Sequence, residues 1–163
     1  MDFLKDFLPL YIFVIVVVAV KLFFIYNEKQ RLMKIAIESF NNLTGLEFEK
    51  YLQMIFTEKE FKVSRTEYKG DNGVNLIIEK DNFKTAVQAK RSKNRLGVKG
   101  IQEIKAGQAN CHCDSAMVIT NNYFTAQAKK LAEINMIELW DKKRLIKETL
   151  NMPVNRNILT SNS

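Results

Sequence analysis

The chain has 163 residues and carries 25 Lys and Arg against 18 Asp and Glu, a net charge of +7. Its two cysteines, Cys111 and Cys113, stand too close for an ordinary disulfide, and its single histidine, His112, leaves histidine-based catalysis without support. A disulfide-stapled secreted domain is therefore excluded, and a polyanionic partner is favoured.

From Phe7 to Tyr26 the only charged residue is Lys21. At 1.5 Å per residue this run approaches the roughly 30 Å of a bilayer core, so residues 7–26 are expected to form a single transmembrane helix. Lys29, Arg31 and Lys34 follow it and only Lys5 precedes it. The excess of positive charge after the run predicts a single-pass protein of the cell membrane with its soluble domain in the cytoplasm. Residues 1–30 carry three basic and three acidic side chains, so the net charge belongs to residues 31–163.

Residues 27–43 are expected to form a helical connector that Asn41-Asn42 breaks. Thr44 then caps a helix, with Glu47 three positions on as a capping box and Phe48, Leu52, Ile55 and Phe56 as its apolar stripe. Phe61 and Val63 mark a first strand and Val74–Ile78 a second. A turn at Lys80-Asp81-Asn82 leads into a third strand, Phe83–Ala89. A helix over 101–111, a buried strand over 116–120, a helix over 124–134, a strand over 136–139 and a helix over 142–150 complete a domain at 44–150. Residues 151–163 are expected to be a flexible tail. A meander followed by strand–helix–strand units predicts an α/β fold, a mixed sheet flanked by helices.

In the third strand Gln88 and Lys90 share a face. The turn sets the second strand antiparallel to it, so Asn75 falls opposite Gln88 or Lys90. Oxygen ligands beside a lysine, at the ends of two strands, are how a metal-dependent nuclease presents Mg²⁺ to a scissile phosphate. Here Asn75 is an amide where a carboxylate is expected.

Four pieces in order, Thr44-Gly45-Leu46-Glu47-Phe48-Glu49, Asp71-Asn72-Gly73-Val74-Asn75-Leu76-Ile77, Val87-Gln88-Ala89-Lys90-Arg91 and the run from Ala116 to Thr125, carry a family likeness. The chain resembles the catalytic domain of the Mrr-type (type IV) restriction endonucleases, in the PD-(D/E)xK nuclease superfamily. The resemblance implies a restriction-endonuclease-like fold, with Lys90, Gln88, Asn75 and Glu49 as catalytic residues. It also implies Asn75, Gln88 and Asp71 as ligands to Mg²⁺ or Mn²⁺.

After the site, Lys84, Lys90, Arg91, Lys93, Arg95, Lys99 and Lys105 face one acid, Glu103, within residues 84–105. Gly97 and Gly100 suggest a mobile basic loop. Arg91, Lys93, Arg95 and Lys99 are the expected contacts to double-stranded DNA, through phosphates rather than bases. The expected function is a membrane-tethered, Mg²⁺-dependent endonuclease acting on foreign or modified DNA, with a second copy or a separate specificity protein as partner. The alternative is a catalytically impaired DNA-binding or scaffold module on the same fold, because Asn75 replaces the Asp of the resembled motif.

Overall fold

A computed structural model describes the backbone of residues 8–66 and 73–151, and the side chains of all of these except 8–10, 28–37 and 39. The chain divides into two compact units, Met1–Ala36 and Ile37–Ser163. The first helix, α1, runs unbroken over Leu8–Asn42. Its described side chains at residues 11–27 are exposed. Among the described residues no helix is long and apolar enough to cross a membrane. The expected transmembrane helix at 7–26 is corrected on that ground. The membrane partner and the single-pass location with a cytoplasmic domain, which rested on it, are corrected with it.

In the second unit, α2 spans Gly45–Glu58 and opens on the expected capping box. The Glu47 amide donates to Thr44 Oγ1 at 3.2 Å, and the Thr44 amide donates to Glu47 Oε2 at 2.6 Å. Two of the orphan amides at the helix start are thereby satisfied. Changing Thr44→Ala should cost about 1 kcal/mol and lower the thermal midpoint by a few degrees; an unchanged midpoint would show that this cap does not stabilise the unit.

Strands β1 (Lys62–Arg65), β2 (Leu76–Lys80), β3 (Phe83–Lys90), β4 (Ser115–Thr120) and β5 (Ile137–Trp140) form one sheet in sequential order. The first three are antiparallel. The β2–β3 turn places Asp81 and Asn82 at φ +53° and +62°, the left-handed pair that matches the twist of a two-residue hairpin and that Asp and Asn tolerate best. Helices α3 (Val98–Asn110) and α4 (Ala126–Ile134) make the crossovers that leave β3, β4 and β5 parallel. The last helix, α5, is Lys142–Leu150.

Helices α3 and α4 cover one sheet face with a core of Val74, Ala86, Ile101, Ile104, Val118 and Ala128. Helices α2 and α5 lie on the other. Phe48, Leu52, Ile55 and Leu145 are fully buried, as are Leu76, Val87 and Ile119 of the sheet, and Tyr51 Oη donates to Thr149 Oγ1 at 2.9 Å. The alternation of Ala86 and Gln88 with Val87 along β3 follows from the two-residue period of a strand. It turns Gln88 towards α3. The result is the expected mixed sheet flanked by helices.

Candidate functional site

Gly73, at φ +85°, turns the chain into β2. A Cβ there would sit 2.2 Å from Gln88 Nε2, so both the backbone conformation and the close approach require glycine. Asn75 follows just before the strand. Its amide donates to Val87 O at 2.9 Å, which continues the β2–β3 ladder and sets Asn75 opposite Gln88, as its position in the sequence suggests.

The side chains do not converge as expected. Asn75 Nδ2 donates to Glu49 Oε1 at 2.9 Å, and Asn75 Oδ1 accepts the Ala89 amide hydrogen at 2.8 Å. Arg65 Nη2 reaches Glu49 Oε2 at 3.4 Å. Glu49, Arg65 and Asn75 thus form one cluster between α2, β1 and the start of β2.

Gln88 and Lys90 belong to a second cluster, against α3. Gln88 is fully buried, and its Nε2 donates to Glu103 Oε2 at 2.9 Å. The carboxylate accepts only, so this contact fixes which end of the amide faces it. Gln88 Oε1 is buried with no hydrogen-bond partner among the described residues and is turned towards Gly100, whose Cβ position lies 3.6 Å away. Lys90 Nζ lies 3.1 Å from the same Glu103 oxygen, and Lys99 Nζ lies 3.9 Å from Glu103 Oε1.

Glu103 and Arg65 are site residues that the sequence reading passed over. The only advance signal for Glu103 is its i,i+4 spacing from Lys99 on a helix that begins at Val98. Burial pushes the Glu103 pKa up. The hydrogen bonds from Lys90 and Gln88 and the charges of Lys90 and Lys99 outweigh it and hold the value below the ordinary 4.5. A depressed carboxyl pKa stabilises the fold above 4.5, and that contribution is lost as pH falls through the lowered value. The stability difference between wild type and Glu103→Gln should therefore be flat above about pH 5 and shrink in acid. A pH-independent difference in thermal midpoint would contradict the cluster.

Mg²⁺ takes a near-octahedral set of oxygen ligands at about 2.0–2.1 Å, and the donors present do not fit it. Asn75 turns an N–H, not a lone pair, towards the Glu49 carboxylate. Its oxygen holds a main-chain amide hydrogen. Gln88 Nε2 donates to Glu103 on the α3 face and its Oε1 is turned towards Gly100, so the two amide oxygens belong to separate clusters. Among the described residues no group of three or more His, Cys, Asp or Glu could hold a metal ion. The expectation of Mg²⁺ or Mn²⁺ on Asn75 and Gln88 is corrected accordingly; Asp71, the third expected ligand, lies outside the described residues. The Mg²⁺-dependent, membrane-tethered endonuclease is corrected with it, since it required both the metal and the spanning helix.

The model of the restriction endonuclease family Mrr_cat matches residues 40–148, well over half the chain. The chain belongs to this restriction endonuclease family. No curated protein matches it. Among solved structures, a protein of unknown function, AF1548, is 18% identical with TM-score 0.51, over 57% of this chain and 55% of that one. The DNA modification-dependent restriction endonuclease AspBHI is 16% identical with TM-score 0.56, over 75% of this chain and 35% of that one. At these identities the likeness is one of fold, and the chain spans well under two thirds of either protein. Within the Mrr_cat fold, then, the region of the expected catalytic constellation holds two separate polar clusters, one on Glu49 and one on Glu103, the second with Gln88 Oε1 unpartnered among the described residues.

The basic flank is better ordered than its glycines suggest. The Leu96 amide donates to Tyr123 O and the Thr125 amide to Leu96 O, both at 2.9 Å, and Leu96 is buried beside Phe124 in a parallel bridge. Gly97 is the N-cap of α3 and Gly100 lies within the helix. The expected mobile loop is instead a pinned segment. Arg91, Lys93, Arg95 and Lys99 are exposed along it.

Proposed function

We propose that this chain is a non-cleaving DNA-binding module on the restriction-endonuclease fold. The observation that carries the reading is the Asn75 amide. Its N–H occupies one oxygen of the Glu49 carboxylate and its oxygen accepts the Ala89 amide hydrogen, while Arg65 lies against the other Glu49 oxygen, so the carboxylate a metal would use is already engaged by the protein. Lys90 is committed in the same way to Glu103. The cations that remain exposed, Arg91, Lys93, Arg95 and Lys99, stand on a segment anchored at Leu96. Such an array binds phosphates electrostatically, without reading bases. The name of AspBHI ties a protein of similar fold to DNA, which makes duplex DNA the partner to test.

Filter binding of the full chain to a short duplex over a salt series should give log K falling with log salt at a slope of about −3 to −4, roughly −0.9 for each of four phosphates neutralised. Lys90→Ala should bind within about twofold of wild type, because a lysine held by a carboxylate offers little free charge to a phosphate. No binding at low salt, or a large loss on removing Lys90, would overturn the reading.

A further inference from the structure

A polar cleft of about 310 Å³ has Arg91, Lys93 and Lys142 and the amides of Asn41, Asn121 and Asn122 in its walls. Four stretches of chain meet there: the end of α1, the segment after β3, the segment after β4 and the start of α5. Strands β3 and β4 are parallel neighbours that pair Lys90 with Thr120, so their carboxyl ends open on the same edge. That edge is where ligands of parallel sheets are held.

The walls are set before any ligand arrives. Asn121, 5% exposed, accepts the Ser92 amide hydrogen on Oδ1 at 2.7 Å and donates from Nδ2 to Asn41 Oδ1 at 3.2 Å. Asn122 Nδ2 donates to Ser92 O at 3.3 Å, and the Lys142 amide donates to Asn122 O at 2.8 Å. Arg91 Nη2 donates to the Asn41 carbonyl at 2.9 Å, and its other N–H groups have no partner among the described residues. A wall fixed in this way spends little ordering entropy on binding. Three lining side chains are cations and none is an acid. Lys93 and Lys142 make no ion pair among the described residues.

We propose that this cleft binds a phosphate monoester, presented either by a free nucleotide or by the terminal phosphate of a nucleic-acid strand. A monoester carries about −1.5 to −2 charges at neutral pH, which suits three cations better than the single charge of a phosphodiester. The guanidinium fork of Arg91 matches phosphate oxygens. The concave shape admits a group that enters end-on. A phosphodiester inside a duplex lies on a convex backbone and does not reach into it. The inference shares Arg91 and Lys93 with the proposed DNA face but needs neither duplex binding nor the absence of cleavage. Lys142, remote from the basic flank in sequence, belongs to the cleft alone.

The test is fluorescence anisotropy and calorimetry with the full chain. One arm compares a strand carrying a terminal phosphate with the same strand ending in a hydroxyl. The other compares thymidine monophosphate with thymidine. The phosphorylated member of at least one pair should bind about tenfold tighter or more, as expected for charge-assisted contacts to a dianion. A preference in the strand pair alone assigns the source to strand ends, and one in the nucleotide pair alone assigns it to free nucleotide. Lys142→Ala should abolish the preference while leaving duplex affinity within about twofold, since it removes a contact the flank does not use. Lys93→Ala, at an exposed position, should likewise abolish the preference should Lys142→Ala fail to fold, and as a member of the DNA face it should also lower duplex affinity by somewhat under tenfold. Equal binding of both members of both pairs, or a preference that survives in the folded variants, overturns the proposal. Loss of salt-dependent duplex binding with the monoester preference intact overturns only the function proposed above.

Discussion

Replacing Arg91, Lys93, Arg95 and Lys99 together by alanine should lower duplex affinity by about 10³-fold at roughly 0.1 M salt. Each phosphate contact contributes about 0.9 log unit there through counterion release, and four contacts set the scale. The slope of log K against log salt should flatten by three to four units in the same variant. All four side chains are exposed, and the segment is anchored by the main chain of Leu96 and by its buried side chain. The thermal midpoint should therefore move little, apart from the loss of the Arg91 contact to Asn41. An unchanged affinity in the folded variant would place the nucleic-acid face elsewhere.

Changing Asn75→Asp should produce the other large effect, on stability. The amide N–H that donates to Glu49 at 2.9 Å is replaced by a carboxylate oxygen. Two carboxylates at that separation cannot both ionise without a compensating cation. Loss of a hydrogen bond to a charged group, with the repulsion added, should cost roughly 2–3 kcal/mol at neutral pH. For a unit of this size that is a fall of about 6–12 °C in thermal midpoint. One carboxyl of the new pair would have its folded pKa raised, so the penalty is present above that value and relieved as pH falls through it. The variant should thus regain stability on mild acidification, and millimolar Mg²⁺ or Mn²⁺ should restore it at neutral pH, because a cation then takes the place the amide N–H now fills. A variant as stable as wild type in the presence of chelator would show that the Asn75–Glu49 contact does not stabilise the site.

The elements of the fold that depend on neighbouring residues were legible in the chain. Thr44 and Glu47 form the capping box their spacing implies, and Asp81-Asn82 make the hairpin that fixes the β2–β3 register. The third strand and the last helix stand where periodicity puts them. Strand β2 begins at Leu76 rather than Val74, because Gly73 adopts positive φ and sends Val74 into the α3 core. Helix α3 begins three residues early, at Val98, since Gly97 serves as its N-cap despite having no side chain to offer. The site was legible only as a register. That Asn75 lies opposite Gln88 follows from the turn. That Glu49 takes one amide from 26 residues away, and Glu103 the other from 15, depends on how two helices pack on opposite faces of the sheet. No local pattern records that packing. The apolar run at the N-terminus misled because composition marks what is apolar and not what spans: among the described residues no helix is long and apolar enough to cross a membrane.

The measurement that tests the account most directly is incubation of the full chain with supercoiled plasmid in Mg²⁺ or Mn²⁺, at protein concentrations that saturate the DNA. The products are then resolved with and without stripping of the protein. The expected result is a retarded complex that releases intact supercoiled DNA, with the same retardation in chelator at matched ionic strength. Nicked or linear DNA that appears only with the metal, and is lost in Lys90→Ala, would contradict it.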